Sequence, residues 1–362
     1  MSDRQNNSMT DHGSNKNDMN IWNQFAKVNI LAFLFLWLFL AVGASAEEFT
    51  ILPTVDNELF QLSIRIIDFP DSIQENVFLL DSAKFHGNKA FPGLLSACLE
   101  ADGYPKNQEG LSLSALFADS FEVNHLFPEQ PDGTWLFDST QCFASLHDGD
   151  FVVYRELGTV DAGSGTTLDR GQFLPFNDLT PGLFSASHPA NLRDALNNEL
   201  PEEDPRKDEP LYAIPGEEAN HYFGLEMEAA FIYPSGGTDA QGCELVAQFS
   251  GDDDLWVYID DFLVLDLGGV HSAIPGSINF TAGAVTYRGD DGKDHSAKLH
   301  KIFRQRYREQ NPDAQERDVQ AFIDGLFREN EHWQTVFKDD IVHTMRVFYL
   351  ERGAGIKFAN KV

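Results

Sequence analysis

The stretch 249–271 limits this chain's fold more than any other. Two apolar runs, 255–259 and 262–265, are separated only by Asp260 and Asp261, the spacing of a tight β-hairpin. In the first run Leu255, Val257 and Ile259 point one way and Trp256 and Tyr258 the other, so both faces need cover and the strand belongs inside a sheet. Three carboxylates, Asp252, Asp253 and Asp254, stand at its entrance. Like charges a few ångströms apart raise each other's pKa and must be offset. A hard divalent cation, Ca2+, could do this, because carboxylate and carbonyl oxygens are its preferred ligands. The alternative is an Asx-type turn in which Asp252 and Asp253 accept backbone N–H bonds and face water. The run lacks the regular gaps of an EF-hand loop.

With 362 residues, 42% of them hydrophobic, the chain can bury one large core or two ordinary ones. A formal net charge of -31 speaks against nucleic acid as a partner, since phosphate binding needs clustered Lys and Arg. Cys98, Cys142 and Cys243 show no CxxC spacing, so zinc is unsupported, and their pairing is open.

Residues 1–27 are polar, without apolar period, and read as a disordered leader. The uncharged, Leu- and Phe-rich segment 28–46 reads as an N-terminal hydrophobic helix. It is either a secretory signal cut after Ala44-Ser45-Ala46 or an uncleaved membrane anchor. In both cases the bulk of the chain is exported, secreted or held at the cell surface by that segment.

Residues 61–66 alternate polar and apolar, a half-buried strand with Leu62, Ile64 and Ile66 inward and Asp68-Phe69-Pro70 at its end. Leu113, Leu116 and Phe117 have helical spacing and read as core contacts. Residues 134–137, 151–154, 223–229, 277–280 and 343–350 read as further strands, with His343, Met345, Val347 and Tyr349 on one face of the last, and 244–249 leads into the hairpin. The glycine-rich loop 158–171 and the polar excursion 191–209 are assigned no chemistry. A helical insertion spans 294–338: Leu299, Ile302, Phe303 and Tyr307 mark one helix, and Val319, Phe322, Ile323, Leu326 and Phe327 a second. The first carries Lys298, Lys301, Arg304, Arg306 and Arg308, which pack onto the chain's own acidic surface or dock on a membrane or acidic partner. Short strands with helices confined to insertions give a mainly β fold, an antiparallel β-sandwich or barrel.

The run Phe249-Ser250-Gly251-Asp252-Asp253-Asp254-Leu255-Trp256-Val257, then Leu265-Asp266-Leu267-Gly268-Gly269-Val270-His271 and Gly276-Ser277, resembles the fibro-slime domain within the wider PA14 superfamily. Weaker likenesses at 64–70, 133–140, 220–223 and 349–352 extend it over roughly residues 60–358, and the insertion departs from it. The resemblance implies a PA14-like β-sandwich. It also implies sugar binding through a calcium ion held by adjacent aspartates, with Asp252 and Asp253 as candidate ligands and Asp254 beside them. Asp266 and His271, flanking Gly268-Gly269, are candidate ligand contacts, or simply hydrogen-bond the loop. The strand-end pair Glu351-Arg352 reads as an exposed ion pair of little energetic consequence. Three functions follow. The first is a recognition or adhesion module binding carbohydrate through Ca2+; the second, a structural surface domain with protein partners. The third, a glycosidase, is disfavoured because its acids would have to face each other across a sugar, and GxSxG, HExxH and P-loop patterns are missing.

Overall fold

The computed structural model divides into two units, Met1–Ala46 and Glu47–Val362. It describes residues 49–54, 56–57, 61–69, 85–131, 135–139, 142–156, 172–173, 175–176, 222–239 and 242–352. The polar leader, the hydrophobic segment 28–46, the loop 158–171 and the excursion 191–209 lie outside the described residues. Among the described residues no helix is long and apolar enough to cross a membrane.

Among the described residues the fold is mainly antiparallel β-sheet with two α-helices. Its strands begin with β1 (Phe49–Ile51), β2 (Leu62–Asp68), β3 (Phe121–Val123), β4 (Cys142–His147), β5 (Asp150–Glu156), β6 (Gln172–Phe173) and β7 (Phe223–Ile232). Next come β8 (Val246–Gly251), β9 (Asp254–Ile259), β10 (Phe262–Leu267), β11 (Ile274–Asn279), β12 (Ala284–Arg288) and β13 (Asp294–Lys298). Helices α1 (Leu299–Gln310) and α2 (Glu316–Leu326) follow, then β14 (Phe327–Glu329), β15 (Thr335–Phe337) and β16 (Val342–Glu351).

The main sheet has six strands in the order β10-β9-β16-β7-β2-β3. Two four-stranded sheets, β1-β5-β4-β6 and β13-β12-β11-β8, and the hairpin β14-β15 complete the set. Every pair is antiparallel except β4 with β6. As its two-sided apolar pattern requires, β9 is buried at every position between β10 and β16.

On one face of the main sheet Val257, Ile259 and Val347 share a core with Ile278, Val285, Leu299, Phe303 and Phe337. At the β2 and β7 end, Ile64, Ile66 and Leu225 pack with Ala144, Phe151 and Val153. Trp256, Tyr258, Phe348 and Leu350 look the other way, onto Leu95, Leu99, Leu113 and Phe117. Thus Leu113 and Phe117 are core contacts, though their helical spacing yields only a 3-10 turn, Leu113–Ala115.

At the β9–β10 turn Asp260 and Asp261 both take positive φ, 48° and 68°. A type I′ hairpin needs this at both central residues, and Asp tolerates it better than most side chains. The Asp260 carboxylate also receives the Thr344 amide at 3.0 Å and meets His343 Nδ1 at 2.6 Å, anchoring the turn on β16.

Three expectations change. Residues 294–298, read as the start of the helical insertion, instead form β13, paired antiparallel with β12, and the helix begins only at Leu299. Around Trp135 the described residues form only an isolated bridge to Glu129; Trp135 and Leu136 are both exposed, so no packed face holds a strand there. The second insertion helix stops at Leu326, because Phe327 turns extended and stacks on Phe337 at 4.8 Å across the β14–β15 hairpin. The basic side chains of α1 are largely used inside the insertion: Arg304 and Arg308 pair with Glu316 on α2, and Arg306 with Glu309.

Candidate functional site

The acidic triplet sits where β8 passes into β9, beside the end of β16. Register places Leu350 opposite Asp254, so Arg352, two residues on, comes to the same corner. Arg352 is 0% exposed and Asp254 equally so. The guanidinium grips Asp254 with two nitrogens: Nε donates to Oδ2, and a terminal nitrogen donates to Oδ1 at 3.1 Å. Oδ1 also accepts the Gly269 amide at 2.6 Å. The Arg352 backbone N–H donates to Asp253 Oδ2 at 2.7 Å. Burial alone would pull Arg352 down, but Asp254, and more weakly Asp253 and Glu351, hold it charged.

This corrects the reading of Glu351-Arg352 as an exposed pair. Consecutive strand side chains point to opposite faces and do not meet. Arg352 turns inward to Asp254. Glu351 falls on the side of Tyr349, whose hydroxyl lies 2.7 Å from Glu351 Oε2 and 3.1 Å from Asp252 Oδ1. Burial and the charges of Asp252 and Asp253 push the Glu351 carboxyl well above its ordinary range. Burial, then Asp254 and Asp252, do the same to Asp253. The corner therefore holds protons well above the usual carboxylate range, with one internal cation.

Asp254 is already engaged within the protein. Both Asp254 oxygens are occupied by Arg352 and Gly269, and a guanidinium inside the cluster repels a second cation. Among the described residues no group of three or more His, Cys, Asp and Glu side chains is arranged to hold a metal ion. Asp252, half-buried, is the most open of the three.

Asp266 and His271 hold the neighbouring loop. Asp266 accepts the Gly93 amide at 2.8 Å and the Gly268 amide at 3.2 Å; burial raises its pKa while these amides pull it back. His271 is buried, with Nε2 2.9 Å from the Leu267 carbonyl and Nδ1 3.1 Å from that of Ser272. Its amide donates to the Asp252 carbonyl at 3.1 Å. The glycines between them serve close approach: Gly269 has φ +107°, and a Cβ there would lie 2.7 Å from Phe91 Cβ. Replacing Gly269 with alanine is therefore expected to cost about 1–3 kcal/mol, read as a lower urea midpoint at unchanged slope.

Arg352, Glu351 and Tyr349 are the site residues that sequence reasoning missed as partners of the triplet. The available signal was the triplet's need for a countercharge and a lone arginine closing the last strand.

No protein-family model matches the chain, and no solved structure matches it. Short segments are similar to Dictyostelium discoideum proteins: psiB and psiP are each 40% identical over 67 residues, and psiG is 44% identical over 62. These segments are 17–18% of this chain and cover only 11%, 8% and 8% of those proteins' lengths.

Proposed function

We propose that the chain is an exported or cell-surface, non-catalytic recognition module for carbohydrate, built on a fibro-slime-like β-sandwich whose aspartate corner is a structural clasp. The observation that carries the clasp is the buried two-nitrogen grip of Arg352 on Asp254. It ties the entrance of β9 to the end of β16 and, through Gly269, to the loop after β10. The acids lie side by side at one corner, where a glycosidase would need two carboxyl groups on opposite sides of a sugar. Export rests on segment 28–46, and carbohydrate on the fibro-slime likeness.

A second reading keeps calcium, at the rim instead of the interior. Asp252, Asp253 and Glu351 carry more acid than one arginine neutralises, and a cation replacing their protons would relieve the repulsion that raises Asp253 and Glu351.

The test is binding of the full-length protein to immobilised oligosaccharides, with calcium and with chelator. The expected result is binding that survives the chelator, with no sugar hydrolysed. Binding lost on chelation and restored by calcium favours the second reading. No binding at all leaves only the structural domain with protein partners, and hydrolysis would make the chain an enzyme.

A further inference from the structure

One aromatic side chain stands apart from every core. Trp333 is 83% exposed, the most exposed large apolar residue among those described. It sits at the tip of the β14–β15 hairpin, in the insertion that departs from the fibro-slime pattern.

The turn that carries it is heavily tied. Asn330 donates its amide to the Gln334 carbonyl at 2.8 Å, and its side-chain oxygen accepts the amides of His332 (3.0 Å) and Gln334 (2.9 Å). Its Nδ2 donates to Gln334 Oε1 at 2.9 Å, and the Trp333 amide donates to the Asn330 carbonyl at 3.1 Å. The base is seated in the core by Phe327, Val336 and Phe337. An added Cβ at Gly283 would stand 2.1 Å from the Thr335 carbonyl oxygen, so the hairpin rests directly on the β11–β12 turn. The backbone at Trp333 is thus held out from the body on a short, stiff arm, with the indole facing solvent.

The backbone at Trp333 has φ +60°. This left-handed conformation suits Gly or Asn, and a bulky aromatic residue adopts it at a cost in energy. Stability would be served by almost any other arrangement: a glycine at the tip, or an indole laid against the protein. A strained, solvent-facing, rigidly mounted Trp is the opposite of what folding alone selects.

We infer that Trp333 is a pre-positioned stacking platform for a sugar ring, flanked by polar groups of the same turn. The inference rests on the carbohydrate-recognition reading and assigns its contact point to the insertion. A pyranose ring offers a face of C–H groups and a rim of hydroxyls. The indole matches the face, and the exposed Glu331 and His332 supply an acceptor and a ring nitrogen for the rim. A protein partner would want a wider apolar patch than one side chain. A membrane would want several apolar anchors with basic neighbours, whereas Glu331 belongs to the same turn and the chain carries -31. Fixing the backbone that carries the ring lowers the ordering entropy paid by a shallow contact.

The test compares full-length wild type, Trp333→Gly and Trp333→Phe for binding to soluble cello-oligosaccharides, chito-oligosaccharides and mannan, and to phosphatidylcholine vesicles. Trp333→Gly removes the ring and the strain together, so it is expected to melt about 2 °C higher, and a loss of binding cannot be blamed on unfolding. Binding to at least one of these sugars, weakened roughly tenfold or more in Trp333→Gly and less in Trp333→Phe, supports the proposal. Undiminished sugar binding by Trp333→Gly overturns it while the carbohydrate reading stands. Vesicle binding that depends on Trp333 overturns it in favour of a lipid surface. Failure of wild type to bind any of the three sugars removes the reading and the proposal with it.

Discussion

Replacing Arg352 with methionine is expected to destabilise the protein by about 3–5 kcal/mol, because Asp254 would be left as a buried charge without its partner. Asp253 is adjacent and already pushed upward, so the corner would have no internal cation left. Urea unfolding measures the loss. The companion Asp254→Leu, which strands the guanidinium instead, is expected to cost a similar amount. The double substitution Asp254→Leu with Arg352→Met should recover most of the loss, since removing both charges together leaves neither unpaired. That non-additivity separates a charge clasp from ordinary packing at the end of β16.

The second large effect concerns pH. Glu351 and Asp253 have folded pKa values raised above their unfolded ones, so the folded state binds more protons than the unfolded state between the two values. Stability from this corner is therefore fully present below the ordinary carboxylate range and falls as pH rises through the raised values. Glu351→Gln keeps an acceptor for the Tyr349 hydroxyl and can donate to Asp252 without needing a proton. It is expected to raise stability at neutral pH by about 0.5–2 kcal/mol and to gain nothing at acid pH. The measurement is the difference in melting temperature between wild type and Glu351→Gln across the range, which cancels the exposed groups with opposite dependence, Glu309 and Glu316 among them.

Much of this architecture is legible in the residues because it is periodic. The two-sided run 255–259 demands an interior strand, and β9 lies between β10 and β16. The alternation at Leu62, Ile64 and Ile66 and the helical spacing of 299–307 and 319–326 follow from which side is buried. Register and partners are not periodic. Nothing local says that β16, nearly a hundred residues later, runs beside β9 and delivers Arg352 to Asp254. The triplet's repulsion was legible, but the source of the compensating charge was not: a cation from solvent and an arginine from a distant strand answer the same local need. Trp135 shows the reverse failure, a strand-like run that joins no sheet among the described residues, because burial is a property of the whole fold.

The most direct test of the internal-countercharge account is thermal melting of the full-length protein in chelator and in excess calcium at neutral pH, with Asp252→Asn alongside. Neutralisation by Arg352 and shared protons predicts the same midpoint in both buffers for wild type. A wild-type midpoint that climbs with calcium, and stops climbing in Asp252→Asn, would contradict it and put the missing positive charge in solution.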